Sequence, residues 1–320
     1  MQENAGERQK FWENLQARLI VGSLLIVLAC AVLFFDRWWA PWYPCLALAT
    51  VLFGLLASGE LRHLLREPRP PAVWLQGGVV AVLLANWMVP IFTSWFELSQ
   101  WACGLPLSLA SLAAVAWTTV LLLLVGFLVE MARFRQADGA THRLAYGTLA
   151  LLWLGVAPSF LVQLRWFGWT VGSDNQAAAD LGLWALAFGI FVPKVGDIAA
   201  YFTGSFLGRH RLAPVLSPKK TWEGAIGGLL GSLTAGVAIS WLSQRVAERP
   251  LLPWPQAVLA SLVVGVVAQL SDLAESLVKR DRQVKDTSAY FPGLGGILDT
   301  IDSLLFSGPI TWLMLSMLST

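Results

Sequence analysis

Nine apolar segments, each about the length needed to cross a bilayer core of roughly 30 Å, recur along this 320-residue chain. They lie near residues 19–35, 41–58, 72–93, 106–129, 145–164, 182–203, 224–244, 255–275 and 303–319. Backbone polar groups inside lipid need partners within their own segment, so the spans are expected as helices. With 56% hydrophobic and 13% charged residues, the chain is excluded from the soluble globular class. The expected fold is an all-α polytopic integral membrane protein of about nine transmembrane helices. The lead-in MQENAGERQKFWENLQAR carries acids and reads as part of a retained anchor, unlike a cleaved signal. No internal repeat or low-complexity segment is visible, and connections are short, so one membrane domain is expected.

The basic residues set the orientation. Of the 22 lysines and arginines, all but five fall in the N-terminal segment and the second, fourth, sixth and eighth connections. The exceptions are Arg37, Arg165, Arg245 and Arg249 on the opposite side and Lys194 inside a span. This bias predicts a multi-pass protein of the cell (inner) membrane with its N-terminus and both chemically rich connections on the cytoplasmic face. Such a surface attracts anionic lipid headgroups and nucleotides. Without a long basic helix or an aromatic-basic module, no nucleic-acid partner is expected. Cys30, Cys45 and Cys103 show no CxxC spacing and read as free thiols. Many of the 17 tryptophans sit at span ends, as interfacial belts do.

Polarity is uneven along the chain. The first five spans carry almost no ionisable residue, so residues 1–180 read as a scaffold and residues 181–320 as the catalytic region of one continuous membrane domain. Lys194 and Asp197 are three apart and Tyr201 is four further on, sharing a helical face. Ionisable groups in a span mark a pathway or site, although this pair could also simply neutralise itself. Pro193 and Gly196 are expected to loosen that helix. Ser217–Gly224, SPKKTWEG, is read as closing the sixth connection and opening the seventh span. It offers the Ser217 and Thr221 hydroxyls, Lys219 and Lys220, and backbone amides at a helix N-terminus, a combination suited to phosphate. A plain helix cap with positive-inside lysines is the alternative. The following glycines read as a helix-packing face.

The run from Ser276 to Asp302 is the richest in chemistry. Asp272, Glu275 or Ser276, and Lys279 form a polar stripe on a helix that is otherwise apolar. Arg280, Lys285 and Asp286 follow, then a Pro292–Gly293–Leu294–Gly295–Gly296 break, then Asp299 and Asp302 on one face of the last span. Local salt bridging is the plain alternative for these acids. Their hard oxygens suit one Mg²⁺ ion or two, and the lack of nearby His or Cys argues against zinc. His63, His142 and His210 lie elsewhere, and a Ser-His-Asp or Cys-His arrangement is unsupported.

Ser276, Lys279, Arg280, Lys285, Asp286, Pro292, Gly293, Gly295, Gly296, Asp299 and Asp302 reproduce, in order and spacing, a pattern that resembles the phosphatidate cytidylyltransferases (CDP-diacylglycerol synthases). Upstream, Asp197, Ala200, Tyr201, Ser217, Pro218, Lys220, Thr221 and Trp222 are similar to a second motif of that family. Leu294 and Thr300 depart from it, standing where the family usually has His and Arg. The resemblance covers roughly residues 190–305. It implies transfer of a cytidylyl group from CTP to phosphatidic acid, among membrane lipids. By resemblance, Asp272 and Asp299 hold metal, with Asp302 and Asp286 as further candidates. Lys220, Lys279, Arg280 and Lys285 hold phosphates, Ser217 and Thr221 add hydroxyl contacts, and Asp197 with Tyr201 lines the pocket. It also suggests a homodimer. Two rivals stand beside this reading. A polyprenol or phytol kinase would use similar acids and lysines. An ion-coupled transporter would spread its acids through the membrane depth, whereas these cluster at the cytoplasmic ends of spans.

Overall fold

The computed structural model describes residues 20–95, 106–169, 176–247, 250–291 and 295–319. Among them, nine helices are long and apolar enough to cross a membrane. These are α1 (Ile20–Trp39), α2 (Pro44–Leu64), α3 (Ala72–Phe92), α4 (Leu107–Arg133), α5 (Ala140–Trp166), α6 (Ala178–Leu207), α7 (Trp222–Ala247), α8 (Trp254–Asp281) and α9 (Ile297–Leu318). The protein is a multi-pass helical membrane protein. Cys30 and Cys45 are free thiols; the lead-in, Cys103 and residues 292–294 lie outside the described residues.

Several helices run past the bounds that hydropathy alone suggests, α2 to Leu64 and α5 from Ala140 among them. The eighth continues to Asp281 and the ninth begins at Ile297, six residues before the expected 303. Both extensions carry charge, which lowers hydropathy, but Lys279, Asp299 and Asp302 are neutralised by partners on neighbouring helices. The segment Ser217–Gly224 does open the seventh span, which starts at Trp222, but its first part, Ser217–Thr221, is extended. That part forms β2, antiparallel to β1 (Arg211–Ala213), with Ala213 opposite Ser217 and Arg211 opposite Thr221. Pro218 disfavours helical geometry in the residue before it. Helix α7 is capped instead by Thr221, whose hydroxyl accepts from the Gly224 amide at 3.1 Å.

Helices α6 and α7 form a tight seam. The α6 helix runs unbroken across Pro193, and Gly196, expected to loosen it, is a contact point. A Cβ there would lie 2.3 Å from Ser232 Oγ on α7. Ser232 in turn donates to the Val192 carbonyl at 3.1 Å. Small residues bring membrane helices close enough for such bonds. In the scaffold half, Asn86 of α3 donates to Ser159 of α5 at 2.9 Å and accepts from Gln163 at 2.7 Å.

Helix α9 belongs to two apolar clusters. Its lower part packs through Leu315 against Phe188 and Val192 of α6 and Ala260 and Val264 of α8. Its beginning packs through Leu298 and Leu305 against Ala57 and Leu61 of α2 and Val79 of α3. The start of α9 is thereby wedged between the scaffold half and α8.

Candidate active site

Three lysines tie α6, α8, α9 and the hairpin together. Lys194 of α6 lies 3.0 Å from Asp197 and 3.5 Å from Asp302. Lys220, on β2, reaches Asp272 at 2.7 Å. Lys279 sits 2.6 Å from Glu275 and 2.7 Å from Asp299. Spacing explains the convergence: Asp272, Glu275 and Lys279 lie on one face of α8, while Asp299 and Asp302 lie on the facing side of α9. Ser303 donates to Asp197 at 2.7 Å, and Ser271 of α8 donates to the Asp302 carbonyl. The Glu275 and Asp299 side chains are only 1% and 6% exposed. Buried ions persist when paired and hydrogen-bonded.

In this network five carboxylates face three ammonium groups, so the ionised set carries an excess of two negative charges. Oxygens of Asp272, Glu275 and Asp302 all lie within 4.8 Å of one another. Glu275 Oε1 is buried and has no hydrogen-bond partner among the described residues. This acidic group can hold a metal ion. Its donors are all hard oxygens, and the charge excess equals that of one divalent cation.

Asp299 is placed differently from the other expected metal ligands. Its Oδ1 accepts from Lys279 at 2.7 Å, and its Oδ2 accepts from the Gly296 amide at 2.7 Å and the Thr287 amide at 2.8 Å. Both oxygens are occupied in capping α9 and binding Lys279. Glu275 stands beside Asp272 and Asp302 in its stead, and its position three residues after Asp272 was the available signal.

The glycine break closes back on itself, with Phe291 and Gly295 exchanging backbone hydrogen bonds at 2.8 and 3.0 Å. Gly295 takes φ +90°, a left-handed conformation that glycine adopts without strain. Gly296 is demanded by close approach: a Cβ there would lie 2.1 Å from Thr287 Oγ1 and 2.5 Å from both carboxylate oxygens of Glu60. Glu60, near the end of α2, was not among the expected site residues. It accepts from the Thr287 and Ser288 hydroxyls and from the Ile297 and Leu298 amides.

Other expected residues are not drawn into the network. Lys285 and Asp286 pair with each other at 3.7 Å with side chains 64% and 52% exposed. Lys219 is exposed. Arg280 donates to the Leu216 and Val284 carbonyls, both at 3.1 Å, and so fastens the hairpin tip to the end of α8. Ser276 is buried on α8, Ser217 begins β2, and Tyr201 packs edge-on to Phe202 at 5.5 Å. Thr300 folds its hydroxyl back onto the Gly296 carbonyl at 2.8 Å.

Comparison with known proteins fits this arrangement. A family model described as "Cytidylyltransferase family" matches residues 16–318. The phosphatidate cytidylyltransferase of Bacillus subtilis is 32% identical over 270 residues, spanning 84% of this chain and 89% of that protein. That of Haemophilus influenzae is 30% identical over 299 residues, spanning 92% and 96%. Phosphatidate cytidylyltransferase 4, chloroplastic, of Arabidopsis thaliana is 28% identical, spanning 97% and 75%. With the family model running over nearly its whole length, the chain belongs to the cytidylyltransferase family.

Proposed function

We propose that this protein transfers the cytidylyl group of CTP to phosphatidic acid, forming CDP-diacylglycerol and pyrophosphate. The observation that carries the proposal is the lysine–carboxylate network at the meeting of α6, α8, α9 and the hairpin, in a chain that belongs to the cytidylyltransferase family.

A phosphate oxygen of phosphatidate forms a bond to the α-phosphorus of CTP, and the bond from that phosphorus to the oxygen bridging to the β-phosphate breaks. The electron pair leaves with pyrophosphate. A phosphomonoester has its second pKa near about 6, so the attacking group is largely ionised at neutral pH and needs no strong base. The barrier is repulsion between anions, which positioned cations lower.

Asp272, Glu275 and Asp302 would hold Mg²⁺, which when bound neutralises phosphate oxygens as a Lewis acid. Lys220, carried on the hairpin and not on a span, exchanges Asp272 for a phosphate oxygen of the substrate. Lys279 is held by Glu275 and Asp299 with its ammonium directed into the site. Lys194 orients Asp302, and Ser303 with Lys194 orients Asp197. The lysine and arginine bias supports an N-terminus and active site on the cytoplasmic side of the inner membrane, where soluble CTP meets a lipid headgroup. Lys285→Cys, in a chain whose Cys30, Cys45 and Cys103 are replaced by serine, is expected to react with an impermeant maleimide only after the membrane is opened; labelling in intact cells would reverse the orientation.

Purified protein in micelles with phosphatidic acid is expected to carry α-labelled CTP into lipid only with a divalent cation. Chelation by EDTA abolishes transfer, and added Mg²⁺ restores it. Undiminished transfer in EDTA would remove the metal from this account.

A further inference from the structure

Glu60 is a carboxylate only 3% exposed, placed in the half of the chain whose membrane spans carry few ionisable groups. Burying such a charge is costly unless it is hydrogen-bonded. Here it accepts from Thr287 Oγ1 at 2.9 Å, Ser288 Oγ at 2.7 Å, Ile297 N at 2.9 Å and Leu298 N at 2.9 Å. Two of these donors are first-turn amides of α9, where unpaired N–H groups and the helix dipole favour an anion. The flanking Ala57 and Leu61, both fully buried, pack in one cluster with Leu298 and so hold α2 against the start of α9.

The contacts join the middle of the connection between α8 and α9 to the first turn of α9. Thr287 and Ser288 lie six and seven residues beyond Asp281, the end of α8, and Ile297 and Leu298 open α9. Asp299 makes the complementary set from the other side, accepting from the Gly296 and Thr287 amides. Thr287 Oγ1 lies 2.9 Å from Glu60 and 2.7 Å from Asp299, so its single proton links the two carboxylates. A shift of α9 against α8 breaks several of these bonds together, and Asp302 lies on the same helix one turn further.

We infer that Glu60 is a positioning residue for the reaction, fixing the start of α9 so that Asp299 and Asp302 meet Lys279, Asp272 and Glu275. The inference rests on the proposed role of Asp302 at the site. The scaffold half then takes part in catalysis through one carboxylate that touches no substrate.

The test uses the full chain in mixed micelles, with turnover measured against CTP and against Mg²⁺. Glu60→Gln keeps the volume but turns an amide towards one of the α9 N–H groups. Its kcat per folded molecule is expected to fall about 10–100-fold, with the Mg²⁺ requirement raised and KM for CTP little changed. Glu130→Gln is the comparison, because Glu130 is also buried in the first half and pairs with Arg143 at 2.5 Å, away from the site. It is expected to lower thermal stability while leaving kcat per folded molecule and the Mg²⁺ dependence as they are.

If Glu60→Gln does not fold, Ser288→Ala and Gly296→Ala, which loosen the same clamp from its other side, are expected to show the same kcat and Mg²⁺ pattern. Wild-type kcat and Mg²⁺ dependence in folded Glu60→Gln, or in both substitute variants, overturns the inference. An active Asp302→Asn would overturn the site reading beneath it. An inactive Asp302→Asn beside a fully active Glu60→Gln overturns the inference alone.

Discussion

Asp302→Asn is expected to lower kcat by about 10²–10³-fold in protein that still folds. Asparagine preserves the shape of the side chain and removes one of the three carboxylates whose oxygens lie within 4.8 Å of one another. It also erases half of the network's charge excess, so a divalent cation is held less firmly and phosphates meet a weaker field. Folding survives because Lys194 retains Asp197 at 3.0 Å and the apolar packing of α9 is untouched. Turnover at saturating CTP, a Mg²⁺ titration and a thermal melt of the same preparation check this together. Activity within tenfold of wild type with an unchanged Mg²⁺ requirement would remove Asp302 from the site.

Lys279→Met is expected to have the largest effect on stability. Lys279 is the counter-ion of two carboxylates, with side-chain exposures of 11% for the lysine, 1% for Glu275 and 6% for Asp299. Removing one partner of a buried pair leaves uncompensated charge and costs about 3–5 kcal/mol. Methionine fills the same space, so the loss would reflect charge and not a cavity. Activity is expected to disappear with it, because Glu275 and Asp299 lose the ammonium that ties them together. Lys285→Met supplies the contrast: the lysine side chain is 64% exposed and, among the described residues, pairs with Asp286 at 3.7 Å. That variant is expected to melt with the wild type, since exposed ion pairs contribute little. Equal melting of the two lysine variants would contradict the buried network.

Much of this architecture was legible because lipid imposes a strong pattern on sequence. Each span announces itself by length and apolarity, and the stripe from Asp272 to Lys279 follows from helical periodicity. The ends of α8 and α9 were less legible, because hydropathy drops where charges appear, even when those charges face partners. The hairpin was hidden for a different reason. Ser217–Thr221 has helix-start residues, and only pairing with Arg211–Ala213 makes it a strand.

Glu60 illustrates the limit most clearly. Its partners lie more than 220 positions away, at Thr287, Ser288, Ile297 and Leu298, and nothing local distinguishes it from a surface acid at a span end. The exchange of Asp299 for Glu275 beside the other acids has the same origin. Sequence shows which residues carry charge, while the direction each oxygen faces depends on how α8 and α9 pack.

The most direct measurement uses two parallel reactions with purified protein, phosphatidic acid and Mg²⁺, one with CTP labelled at the α-phosphate and one with the label at the γ-phosphate. A lipid alcohol is supplied in a matched pair. The account predicts that α-label enters the phosphatidate-derived lipid while γ-label leaves as pyrophosphate. Appearance of γ-label on the lipid alcohol, with no α-label in lipid, would contradict it and make the protein a lipid kinase.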